Sequence, residues 1–169
     1  NGRPWRLGTV GTAIGCAGVL ALNDLRGQPD VEADLREILG TVYLNLDLFE
    51  PAAAMFAEAL AVRRRLRGAE HPEVARSLNY LGVVLGRQGR LTEAEEMIRL
   101  AAGMQEKLLG RETPAVAETL GNLGVVLAQQ DRPAEAEAAI RDALAMQEKL
   151  LGREHVDVAR SLKKLGAIL

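Results

Sequence analysis

Few residues in this chain could do acid-base, nucleophilic or metal chemistry, and they are poorly grouped. The only histidines, His71 and His155, stand at the same place in a recurring unit, and the single cysteine is Cys16. A metal or acid-base role would need partners converging on them, so both histidines read as polar residues of a turn. Glu93, Glu95, Glu96, Glu135 and Glu137 could suggest paired carboxylates. They fall in first turns of helices, however, where the macrodipole favours negative charge. The run Arg63-Arg64-Arg65-Leu66-Arg67 could hold phosphate or an acidic partner, yet it sits in a last helical turn, which the dipole also favours. No Ser-His-Asp, Cys-His or phosphate-loop spacing is present. The chain is read as a non-enzyme with no cofactor and no metal.

The elements that must position these residues are set by a repeat. Leu-Gly recurs at Leu39-Gly40, Leu81-Gly82, Leu123-Gly124 and Leu165-Gly166, a period of 42 residues without drift. Residues 81–122 and 123–164 share 25 of 42 positions, and 39–80 shares 13 with 81–122. Within each unit, Ala94, Met97, Ile98, Ala101, Met104 and Leu108, then Ala136, Ala139, Ile140, Ala143, Met146 and Leu150, keep steps of three and four, which make one apolar stripe of a helix. A shorter stripe through Val74, Leu78, Leu81 and Leu85 marks a second helix. Gly89 or Asp131 separates the two, and Thr92-Glu93-Ala94-Glu95 reads as a capping box. Gly68, Gly110 and Gly152 end the second helices as left-handed residues, and Pro72 and Pro114 open the following ones. Glu95/Arg99 and Glu137/Arg141 lie in the stabilising order four apart.

Composition agrees with an all-α chain. It is 48% hydrophobic but only 3% aromatic, so Ala, Leu, Val, Ile and Met must build the core. The 21 basic and 23 acidic residues nearly cancel, which removes the electrostatic footprint of a nucleic-acid binder. One cysteine excludes an internal disulfide, and a cytoplasmic setting is expected.

With Leu78, Leu81, Gly82, Leu85, Ala94, Ile98 and Ala101, and again Leu120, Leu123, Gly124, Leu127, Ala136, Ile140 and Ala143, the units resemble tetratricopeptide repeats. At 42 residues rather than about 34, they are similar to the long repeats of kinesin light chains and their bacterial relatives. Glu106-Lys107-Leu108-Leu109-Gly110 and His71-Pro72-Glu73-Val74-Ala75 resemble that subclass's inter-repeat signature. The resemblance implies a right-handed superhelical solenoid of antiparallel helix pairs over 29–169, with repeats at 39–80, 81–122 and 123–164 and a partial fourth from 165. Gly27 to Leu35, with Leu46-Asp47-Leu48-Phe49, also resembles the entry into the C-terminal repeats of bacterial serine/threonine kinases, although no kinase motif is present.

Residues 1–28 form a separate apolar, Gly-rich segment, read as a degenerate second helix of a preceding repeat. The uncharged stretch 7–23 is at the short limit for a membrane anchor, the less favoured reading. At the other end, Leu162, Leu165, Ile168 and Leu169 make an apolar stripe with no following helix, for which self-association or fraying of that end is expected.

The resemblance further implies that first helices line a concave groove binding a peptide or helical segment of a protein partner. The residues placed there are Arg76, Asn79, Val83, Arg87, Asn122, Val125, Gln129, Arg160, Lys163 and Lys164. Glu118 lies among them, and Asp34 and Glu37 make the N-terminal end acidic. The expected function is a non-catalytic protein-protein interaction scaffold. The alternative is an accessory or self-association region of a bacterial kinase.

Overall fold

The computed structural model describes residues 27–168. It divides into two compact units that meet between Gly68 and Ala69. The first holds α1 (Pro29–Asn45) and α2 (Phe49–Arg67). The second holds α3 (Pro72–Arg87), α4 (Leu91–Leu109), α5 (Pro114–Gln129), α6 (Pro133–Leu151) and α7 (Val156–Gly166). No strand occurs among the described residues. Helices α2, α4 and α6 begin 42 residues apart, at Phe49, Leu91 and Pro133, and α3, α5 and α7 do the same at Pro72, Pro114 and Val156.

Each pair closes on a socket built from the missing side chain of a glycine. A Cβ on Gly82 would lie 2.5 Å from Ile98 Cγ1, and one on Gly124 would lie 2.5 Å from Ile140 Cγ1. In the first unit the Phe56 ring stands 2.9 Å from the same point over Gly40. Phe56, Ile98 and Ile140 are fully buried, each contributing about 2–3 kcal/mol. Ala52, Ala59, Ala94, Ala101, Ala136 and Ala143 flank them at zero exposure, so the small positions are those where helices approach most closely.

Local chemistry fixes the ends. The Nδ1 atoms of His71 and His155 accept the amide hydrogens of Glu73 and Asp157, each at 3.2 Å. Thr113 Oγ1 accepts from Val116 N at 3.3 Å in the intervening repeat. The histidines are therefore N-caps, satisfying amides a helix start leaves open. Gly68, Gly110 and Gly152 end the second helices at φ of 85°, 88° and 84°. Their ψ of 176°, 161° and 158° puts them in the mirror-extended region, open essentially to glycine alone, rather than in the left-handed helical one expected.

Two further expectations are corrected. Thr92 does not cap α4: the cap residue is Arg90, with no side-chain cap bond, and Arg90 Nε instead donates to Glu93 Oε1 at 2.8 Å. The tight turn carries the chain into the helix one residue before Thr92, so the capping-box register is lost. Arg63 does not belong to an exposed basic run. It is 1% exposed, pairs with Asp34 at 2.7 Å and also with Glu37, and ties α2 to α1. Burial opposes its charge, and the two carboxylates outweigh burial. Asp34 and Glu37 are thus engaged within their own unit.

In the second unit, Leu85, Ala94, Ile98, Leu123, Val126, Leu127 and Ala136 form a continuous core, and Ile168 packs against it. This covers part of the stripe expected to be bare, while Leu162 remains 50% exposed. Residues 1–26, including the stretch 7–23, and Leu169 lie outside the described residues.

Candidate functional site

Within the second unit α3 touches α5 and α5 touches α7, so these three first helices form one face. Between them lies a pocket of about 260 Å³ lined by Val83, Gly86, Arg87, Asn122, Val125, Val126, Gln129 and Lys164. Val83, Arg87, Asn122, Val125, Gln129 and Lys164 were expected on the binding face and are brought together here. Arg76, Arg160 and Lys163 are exposed but do not line the pocket. Asn79 is 3% exposed, so its amide is spent inside the fold.

That amide anchors a polar chain crossing the repeats. Asn122 Nδ2 donates to Asn79 Oδ1 at 3.3 Å, and Lys164 Nζ donates to Asn122 Oδ1 at 2.9 Å. Gly121 permits the last contact, since a Cβ there would lie 3.3 Å from Lys164 Nζ. Gly121 was not among the residues placed on this face; the available signal was a glycine in one repeat followed by the long side chain of Lys164 in the next.

Charge alternates along the same face. Arg76, Glu118 and Arg160 occupy one position at 42-residue intervals, with signs plus, minus, plus. Although Glu118 counts among exposed residues, the groups crowding it strip water from the carboxylate and raise its pKa; Lys164, Arg160 and Arg76 work against that rise. Lys164, half-buried, is pushed below the usual lysine range by desolvation and by Arg160, with Glu118 and Asp157 opposing. The face therefore holds an excess of cations around an apolar pocket with amide groups at its wall. It can grip a carboxylate by charge-assisted hydrogen bonds and an apolar side chain by burial. No group of three or more His, Cys, Asp or Glu among the described residues could hold a metal ion. No described helix is long and apolar enough to cross a membrane.

Helix pairs of fixed period, closed by glycine sockets, define a helical-repeat interaction protein. The chain belongs to the tetratricopeptide repeat family, whose model matches residues 32–107, 79–149 and 115–169. Such repeats serve in general as protein-protein interaction scaffolds, and are generally non-catalytic. BtubC (BKLC) from P. vanneervenii has a similar crystal structure: TM-score 0.77 at 21% identity over 98% of this chain and 66% of that one. A Podosopora anserina protein described as kinesin light chain with nearly identical TPR-like repeats is similar at TM-score 0.71 and 19% identity, over 96% of this chain and 77% of that one. The fold is thus that of the long, kinesin-light-chain-like repeats. This chain spans just under two thirds of the BtubC chain. No curated protein matches it in sequence.

Proposed function

We propose that the face of α3, α5 and α7 binds an extended, acidic segment of a protein partner and takes one of its apolar side chains into the pocket. The observation that carries this reading is the pocket itself, where apolar walls from Val83, Val125 and Val126 meet polar groups from Arg87, Asn122, Gln129 and Lys164. Apolar pockets with a few convergent polar groups are the usual form of a specific site. Arg160, Lys163 and Lys164 set the direction: the acidic part of the ligand lies toward α7. Affinity is expected near about 1 μM and falls with added salt, because partly exposed charges are screened over about 8–10 Å at ordinary ionic strength.

The test is fluorescence anisotropy on a panel of labelled extended peptides, each with one aromatic or aliphatic residue and an acidic flank on one side or the other. Asn122→Ala and the pair Lys163→Glu, Lys164→Glu should each weaken binding about tenfold or more, a loss of about 1.4 kcal/mol. Unchanged affinity in both, with loss on changing exposed Arg64 and Arg65 to Glu, would place the binding site elsewhere.

A further inference from the structure

The chain has four lysines, and their surroundings differ. Lys107 pairs with Glu70 at 2.5 Å and Lys149 pairs with Glu112, both on open surface. Lys163 is exposed. Lys164 alone is half-buried, donates to a neutral amide oxygen on Asn122, and borders the pocket of about 260 Å³. Ordinary pockets for drug-sized ligands run about 300–1,000 Å³. This one suits a short acyl group, which would lie against Val83, Val125 and Val126.

We propose that Lys164 is an acylation site, modified by an acyl phosphate, and that its acylation silences the binding face. The amine, once deprotonated, attacks the carbonyl carbon of the donor. The new C–N bond forms as the C–O bond to phosphate breaks, and the phosphate leaves with the electron pair. For acetyl phosphate the sum is lysine ammonium plus dianionic donor giving acetyl-lysine, hydrogen phosphate dianion and one proton. No oxidant or further reactant is needed. The donor's charge suits a site where Arg87 lines the pocket and Arg160 lies near enough to act on Lys164. The remaining N–H can keep its bond to Asn122 Oδ1, but the cation is gone.

The charged groups around Lys164 set the sign of the test. Glu118 on α5 and Asp157 on its own helix hold the proton on; Arg160 and the partial burial drive it off. Arg76 acts on Glu118 from α3. Unprotonated amine is the reactive form, so removing the Glu118 charge should speed acylation, whereas a merely structural role for Glu118 would not. The silencing rests on the binding reading above; the acylation does not.

The full chain is treated with acetyl phosphate at pH 8, and initial rates at the four lysines are read by peptide mass spectrometry. Lys164 should react about threefold or more faster than Lys163, and Glu118→Gln should raise the Lys164 rate about twofold or more. A Lys164 rate at or below that of Lys163, or no rise in Glu118→Gln, overturns the assignment. A separate titration with the acidic peptides should show about tenfold weaker binding for Lys164→Gln than for Lys164→Arg. Equal binding by the two overturns the silencing while leaving the mapped rates to decide the acylation.

Discussion

Adding one methyl group at equivalent glycines should have opposite effects in successive repeats. At Gly124 a new Cβ would stand 2.5 Å from Ile140 Cγ1, 3.1 Å from Ile140 Cδ1 and 2.9 Å from the carbonyl oxygen of Ala136. Carbon atoms prefer about 3.5–4.0 Å. Ile140 is fully buried and cannot swing clear, and the oxygen belongs to the α6 backbone, so relief requires the two helices to part. Overpacking of this kind costs about 1–3 kcal/mol, against which alanine returns about 1 kcal/mol of helix propensity. With a backbone atom among the clashes the upper part of the range applies, and Gly124→Ala should lose about 1–2 kcal/mol net. Gly166, two repeat positions after Gly82, has nothing within 4 Å of the same point. There only the propensity gain remains, at most about 1 kcal/mol because the residue ends its helix. Thermal unfolding followed by circular dichroism separates the two, since 1 kcal/mol moves the midpoint by about 4–8 °C in a domain of 60–100 residues. Gly124→Ala should melt lower and Gly166→Ala at or above the parent. If Gly124→Ala melts no lower than Gly166→Ala, the socket geometry is wrong.

Arg63→Ala strands Glu37 beside a vacated interior and should cost about 1–3 kcal/mol, less than a fully buried pair because Asp34 is largely exposed; adding Glu37→Gln should recover part of it, read by urea denaturation. Thr119→Val should hold or raise stability by up to about 1 kcal/mol, because Thr119 Oγ1 is buried with no hydrogen-bond partner among the described residues; a clear loss in the same assay would reveal a bond the hydroxyl makes. Binding of acidic peptides should weaken as pH rises through the depressed pKa of Lys164, while a solvated lysine would still be charged; Lys164→Arg should flatten that slope in anisotropy titrations.

The helices were legible in the sequence because their evidence is periodic. Gly82, Ile98 and Ala101 recur at fixed spacing, and each instance tests the others, so the pairs and their small-residue contacts could be read before any coordinates. What failed was single-instance reasoning. Thr92-Glu93-Ala94-Glu95 has the pattern of a capping box, but a box depends on the helix starting at one particular residue, and the turn starts this one two residues early. Arg63 reads as one of four arginines on a basic helix end, and nothing local says that its side chain alone of the run turns inward. The partners that draw it in, Asp34 and Glu37, are 29 and 26 residues away, on the facing helix.

The position of Arg63 carries a wider point about where such a chain keeps its specificity. One period later the same place holds Gln105, and one period after that Gln147, both buried, each with a side-chain oxygen lacking a hydrogen-bond partner among the described residues. The backbone is repeated while the polar group filling one interior site is not. The binding face shows the same logic. Tyr80, Asn122 and Lys164 share a register, as do Asn79, Gly121 and Lys163. The Asn79–Asn122–Lys164 chain exists because these two registers change from repeat to repeat, and Asn122 and Lys164 also line the pocket. A perfect repeat would present the same side chain at each step and could not place an amide, a bare backbone and an ammonium in contact. Identity between repeats therefore marks the scaffold in this chain. Under the binding proposed above, the departures at Asn122, Gly121 and Lys164 are where one partner would be told from another.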